Sequence, residues 1–136
     1  MPIAVSDIAR VSIEGVCENR VTVGVARTNY RIDLVDASRG AASKATPGRP
    51  VNSIIRARAL KMHRSTAGGT FIEPVEGSPR IVQGRILATD TARNEALVHA
   101  VVPMWIEVPA GQCASDFATG DLVNFYVESG ATLTIA

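Results

Sequence analysis

The chain has 136 residues, 46% of them hydrophobic, with 14 Lys and Arg against 13 Asp and Glu and two cysteines. That length fits one domain burying roughly 68% of its unfolded surface, with no need of a metal or a disulfide framework to hold a core. A formal charge of +1 excludes a dedicated DNA-binding domain, an acidic tail and a polybasic membrane anchor. Counting branched residues gives 16 Val, 11 Ile and 10 Thr against six Leu, the composition of pleated, half-buried strands. Met1 to Arg10 carries neither the basic patch nor the apolar run of a secretory signal. The longest apolar stretch, Ala100 to Ile106, falls far short of the roughly 20 residues that span a bilayer. A cytoplasmic protein without membrane contact is expected. Cys17 and Cys113 lack any partner spacing, so they read as two buried thiols, not as a disulfide or zinc site.

In chain order, Val11, Ile13 and Val16, then Val21, Val23 and Val25, form two apolar series around Glu18-Asn19. This spacing predicts a hairpin, with Asn19 taking the positive φ of a tight connection. Tyr30, Ile32 and Leu34 alternate with Arg31 and Asp33 and predict a third strand of the same meander. Asp36 to Pro50 holds no large apolar side chain, so it is expected to add nothing to a core and to form a flexible loop. Val51 to His63 resumes strand texture, with Ile55, Ala57 and Ala59 on one face and Arg56 and Arg58 on the other; a change of parity near Leu60 predicts a bulge. Gly68-Gly69 marks a turn, Thr70 to Ile72 a short strand, and Glu76 to Pro79 a second turn. Ile81 to Leu87 and Ala96 to Val102, joined by a polar turn at Asp90 to Asn94, form the clearest hairpin, and Gly84 within it marks a bend or a close backbone approach at a barrel corner. Pro103 argues against a central ladder position. Ala110 to Gly120 carries one helical turn, capped by Ser115 or Asp116 and ended by Gly120. Asp121 to Glu128 and Thr132 to Ile135 complete about nine short strands, the last of which must pair within its own chain or onto another subunit.

Gly84 to Asp90, Asn94 to Val98 and Gly120 to Phe125 together resemble the second half of an oligonucleotide/oligosaccharide-binding (OB) barrel over about residues 51–136. That resemblance implies a binding face and leaves the ligand open. A second resemblance lies upstream. Arg27-Thr28-Asn29-Tyr30-Arg31 is similar to the R-x-x-x-R element of PilZ domains, and Asp36-Ala37-Ser38-Arg39-Gly40 approximates their D/N-x-S-x-x-G element. In that family the two elements hold a cyclic dinucleotide, which would give Arg27, Arg31, Asp36, Ser38 and Gly40 a nucleotide-binding role. Taken without the resemblance, Arg27 and Arg31 are ordinary turn and strand-face charges.

Nucleophilic catalysis needs a Ser, Cys or Thr within reach of a His backed by a carboxylate. His63 and His99 are the two histidines, His99 reading as a core residue among Leu97, Val98, Ala100 and Val101 and His63 as solvated. Neither falls in a catalytic motif, so no enzyme, cofactor or metal is expected. Charge is nevertheless polarised: residues 49–93 balance at +5, while residues 94–136 contain no Lys or Arg and balance at −5. Three readings stay open, namely a basic binding face, neutralisation between neighbouring strands with Arg85 near Glu95, or complementary faces of an oligomer. Neutralisation between neighbouring strands is the default, and the oligomer reading gains from Ala96 to Val102, apolar on both faces, and from the unpaired terminal strand.

The combined expectation is an all-β, mostly antiparallel, small OB-like barrel with one short helical turn. It forms a single domain over residues 1–136, with a meander at 1–36, a flexible loop at 37–50 and a barrel body at 51–136. Its expected role is a non-enzymatic binding or assembly module that self-associates, with Arg56, Arg58 and Arg85 facing any anionic ligand. The alternative is PilZ-like cyclic-dinucleotide or single-stranded nucleic-acid binding, which needs aromatic platforms beside the basic strand.

Overall fold

A computed structural model of the chain describes residues 5–136. Eleven strands run through it: β1 (Ala9–Cys17), β2 (Arg20–Gly24), β3 (Arg31–Asp36), β4 (Pro50–Arg64), β5 (Phe71–Glu73), β6 (Glu76–Gly77), β7 (Ile81–Asp90), β8 (Glu95–Ala100), β9 (Val102–Glu107), β10 (Leu122–Val127) and β11 (Thr132–Ile135). Two short 3-10 turns, Ala41–Lys44 and Ala114–Asp116, complete the described elements. The all-β class follows from the Val, Ile and Thr excess, and alternation sorts each strand. Val11 and Ile13, Val21 and Val23, and Ile32 and Leu34 are buried, while the residues between them are half or fully exposed.

The pairings close two rings that share β4. In the first, β1, β2 and β3 form an antiparallel meander and β4 returns beside β1, the 4-1-2-3 order of a Greek key. β11 closes the ring by pairing antiparallel to β4 and parallel to β3. In the second, β7, β8 and β9 form the meander and β10 returns beside β7. Here β4 is the closing strand, antiparallel to β10 and parallel to β9. Both rings therefore have one spatial order, and the second has its closing strand moved from the end of the chain segment to its start.

The first strands of the two meanders match in detail. β1 carries one extra residue, Glu14, three positions before its last paired residue Cys17. β7 carries one extra residue, Leu87, three positions before its last paired residue Asp90. A bulge at that place tightens the local twist and lets a five-stranded sheet curl onto itself.

β4 serves both rings because it is long, about 48 Å at the usual strand rise. Its register against β10 passes from Phe125↔Met62 to Val127↔Ala59, so Leu60 and Lys61 both oppose Tyr126. This is the bulge that the parity change near Leu60 predicts, and it returns Met62 to the interior.

Several local expectations are corrected. The first hairpin closes through Glu18-Asn19, but the positive φ of 56° falls on Glu18. The segment from 37 to 50 does reach the core: Ala42, in the 3-10 turn over one end of the first ring, is 1% exposed and joins the buried cluster. The later 3-10 turn is capped by Cys113, whose N–H donates to Asp116 Oδ2 at 3.0 Å, and it ends at Asp116 with Phe117 as its C-cap, not at Gly120, which takes a positive φ of 94° four residues further on. Glu76-Gly77 is a two-residue parallel strand beside β3 as well as a turn. Pro103 lies inside β9 opposite His99, before the Trp105 to Glu107 stretch that pairs with β4, so β9 is paired there on one side.

Candidate functional site

The basic residues of β4 define the first surface. Arg56 Nη1 donates to both carboxylate oxygens of Glu95 at 3.0 and 3.1 Å, and its guanidinium carbon stands 6.0 Å from the centre of the Trp105 ring. Arg58 Nε donates to Glu107 at 2.7 Å and lies 3.8 Å from Glu128. Those two carboxylates, Glu107 foremost, raise the Arg58 guanidinium above its ordinary value. Arg93 adds a 3.5 Å contact to Glu95. Arg64 pairs with Asp121 at 3.0 Å, donates to the Asp116 carbonyl and stands 5.2 Å from the Phe117 ring centre. The Ala118 N–H and then Arg64 hold the Asp121 carboxyl below the usual carboxylate range.

The polarised charge thus meets itself across strands. Arg56, Arg58, Arg64 and Arg93 of the basic stretch are paired with Glu95, Glu107, Glu128 and Asp121 of the acidic one. Arg56 and Arg58 share a cleft of about 270 Å³ whose other walls include those three glutamates and Thr132. Arg85 is elsewhere, on β7 in register with His99, with Nη1 donating to the Gly120 carbonyl at 3.1 Å. Its expected position near Glu95 is not observed: Asp90 is the residue opposite Glu95, and Arg56 is the arginine that pairs with it.

The upstream residues divide between the two ends of β3. Arg31 begins the strand and, with Tyr30, Glu14 and Glu76, lines a cleft of about 340 Å³; Arg27 occupies the turn before it at φ 65°. Asp36 ends the strand and accepts the Ser38 N–H at 2.8 Å, Ser38 Oγ accepts the Ile135 N–H at 2.6 Å, and Gly40 at φ 88° starts the first 3-10 turn. Arg31 and Asp36 are separated by a strand of about 16 Å. The second trio shapes its own turn, and the structure does not gather all five residues around one cavity.

A different surface lies on the outside of the second ring, across β4, β10, β7 and β5. Its sequence signal is the alternation in β10, where Val123, Phe125 and Val127 face inward and Asn124 and Tyr126 outward. Pairing sets Tyr126 against Ile81 and Ile81 against Glu73, while Leu60 and Lys61 oppose Tyr126 from the other side. Tyr126 is 61% and Leu60 59% exposed, and Ile81 is half-buried. The neighbouring row is His63, Asn124, Gln83 and Phe71. Its amides are satisfied, Asn124 donating to Gln83 at 3.1 Å and Gln83 to the Gly69 carbonyl at 2.7 Å.

Other expectations change in the same light. His99 is exposed on the outer face of β8, not buried in the core, and both cysteines are exposed. β8 is covered within the chain: Ala96, Val98 and Ala100 face the core, while Leu97, 1% exposed, lies beside Trp105. Trp105 is itself held by its Nε1–H on Asp7 at 2.9 Å and by Arg56. The last strand pairs within its own chain. No helix among the described residues is long and apolar enough to cross a membrane. No family model matches the chain, and no curated protein matches it in sequence.

Proposed function

We propose that the protein is a non-enzymatic binding or assembly module that self-associates through the outer face of its second ring. The observation that carries this reading is the adjacent placement of Leu60 and Tyr126, two large apolar side chains more than half exposed on paired strands. A β-bulge sets two residues against one, which turns an inward-outward alternation into a local apolar cluster beside Ile81. The five-stranded Greek-key rings support an OB-like reading, a fold that presents binding faces of many kinds. Both free thiols being exposed suits a reducing, cytoplasmic setting. Light scattering on the purified chain over micromolar concentrations tests the reading. The wild type is expected to exceed the mass of one chain, and a Leu60→Ser/Tyr126→Ser variant to return to it; a monomeric wild type sinks it.

A second reading rests on the cleft at the start of β3, where Arg31 and Tyr30 stand together and could receive an anionic or nucleotide ligand. Among the described residues Arg31 forms no ion pair, whereas Arg56 and Arg58 are bound to glutamates; Glu14 and Glu76 also line this cleft, so Arg31 is its one cationic contact for such a ligand. Titration with a cyclic dinucleotide and with single-stranded RNA at two salt concentrations tests it, a flat response to both being the contrary result.

A further inference from the structure

We infer that the partner seated on this face is a second copy of the same chain, docked about a two-fold axis through one row of side chains. The inference rests on the self-association reading above and adds its geometry. The row runs across four hydrogen-bonded strands as Lys61, Tyr126, Ile81 and Glu73, with Leu60 beside Lys61. Paired residues of an antiparallel sheet share a face, so all four project outward, as Val82 and Phe125 project inward. Lys61 and Glu73 are exposed, and among the described residues neither forms an ion pair.

The row is therefore a short apolar bar with a cation at one end and an anion at the other, spanning three strand spacings, about 14 Å. An acidic partner is repelled at Glu73 and a basic one at Lys61. A partner carrying the same bar in the reverse direction is attracted at both ends, and a two-fold rotation of the chain onto itself supplies it. That rotation sets Lys61 of each copy against Glu73 of the partner and Tyr126 against Ile81, which is how an isologous interface is self-complementary. The neighbouring row carries neither Lys, Arg, Asp nor Glu, and its amides are already bonded to one another and to the Gly69 carbonyl.

Four proteins test this by sedimentation equilibrium: wild type, Lys61→Glu, Glu73→Lys and the double reversal, each checked for its fold by circular dichroism. Each single reversal puts two like-charge contacts into the dimer and is expected to weaken it roughly tenfold or more. The double reversal restores the order of charges and is expected to return to within about threefold of wild type. The two single variants, mixed, are expected to pair with each other, because one then offers two anions and the other two cations. A wild-type dimer indifferent to both single reversals overturns this geometry while leaving self-association standing. A wild type monomeric at every concentration overturns both.

Discussion

Gly84 on β7 lies so close to β8 that a β-carbon on it would stand 2.5 Å from the His99 carbonyl oxygen and 2.9 Å from the Ala100 Cβ. The glycine is required by space, since its φ lies outside the positive region. Counted back from the bulge, the matching position in the first ring is Val11, which is 2% exposed and accommodates a branched side chain. The second ring is thus drawn tighter at this corner than the first. Gly84→Ala is expected to destabilise the fold by about 1–3 kcal/mol through overpacking against backbone. Urea unfolding followed by the fluorescence of the single tryptophan, Trp105, measures it; an unchanged midpoint would show that the corner yields freely.

The charge pairs on β4 differ in value according to burial. Glu95 has a side chain 13% exposed and accepts both contacts from Arg56, so Glu95→Ala strands a half-buried guanidinium and is expected to cost about 1–3 kcal/mol. The Arg58 pair is open to solvent on both sides, and Arg58→Ala is expected to leave the unfolding midpoint within error of wild type. Equal losses in the two variants would contradict this ranking.

Asn94 anchors the loop before β10. It takes a positive φ of 54°, donates to the Val108 and Gln112 carbonyls at 3.2 and 3.1 Å, and accepts the Ala114 N–H at 2.7 Å. Gln112 in turn grips both backbone groups of Met62 at 2.9 and 2.8 Å. Asn94→Ala is expected to cost about 2–3 kcal/mol, from lost hydrogen bonds and a conformation that asparagine tolerates better than alanine. Proteolysis should then cut first between residues 108 and 121, and cleavage beginning elsewhere would count against the anchoring role.

Asp121 gives the fold an acid dependence. Its folded carboxyl lies below the ordinary value, through the Ala118 N–H first and Arg64 next. A depressed carboxyl contributes stability that is present above the unfolded value of about 3.9 and is lost as pH falls through the folded value. The stability difference between wild type and Asp121→Asn is expected to hold constant from neutrality to about pH 5 and to shrink below about pH 4. A difference that grows on acidification would contradict the assignment.

The strands were readable because alternation over Val11 to Leu34 and over the Val123 to Val127 stretch reports which face is buried. The bulge at Leu60 and the corner at Gly84 were readable because each breaks a local pattern. The partner of each charge is not: Arg58 meets Glu107 directly across the parallel contact between β4 and β9, 49 positions away, and Arg56, opposite Trp105 on β9, reaches Glu95 on β8, 39 positions away, and neither leaves a local mark. The burial of Ala42 has no periodic signal in the sequence, because it is a lone methyl group in a polar segment. The exposure of His99 is not legible locally, because β8 is apolar at Leu97 on the same face and only Trp105 on the adjacent strand distinguishes a covered outer position from an open one. The expectation of self-association rests, at the level of the sequence, on β8 and on the last strand needing partners. The last strand and β8 meet that need within the chain, so the proposal of self-association rests instead on the exposed pair Leu60 and Tyr126.

The most direct measurement of the central claim is amide hydrogen exchange on the wild-type chain at high and at low concentration. Slower exchange at high concentration, confined to peptides covering residues 58–64, 71–83 and 122–128, is what docking through the outer face of the second ring requires. Exchange that is independent of concentration there, or protection appearing instead on β1 to β3, would contradict it.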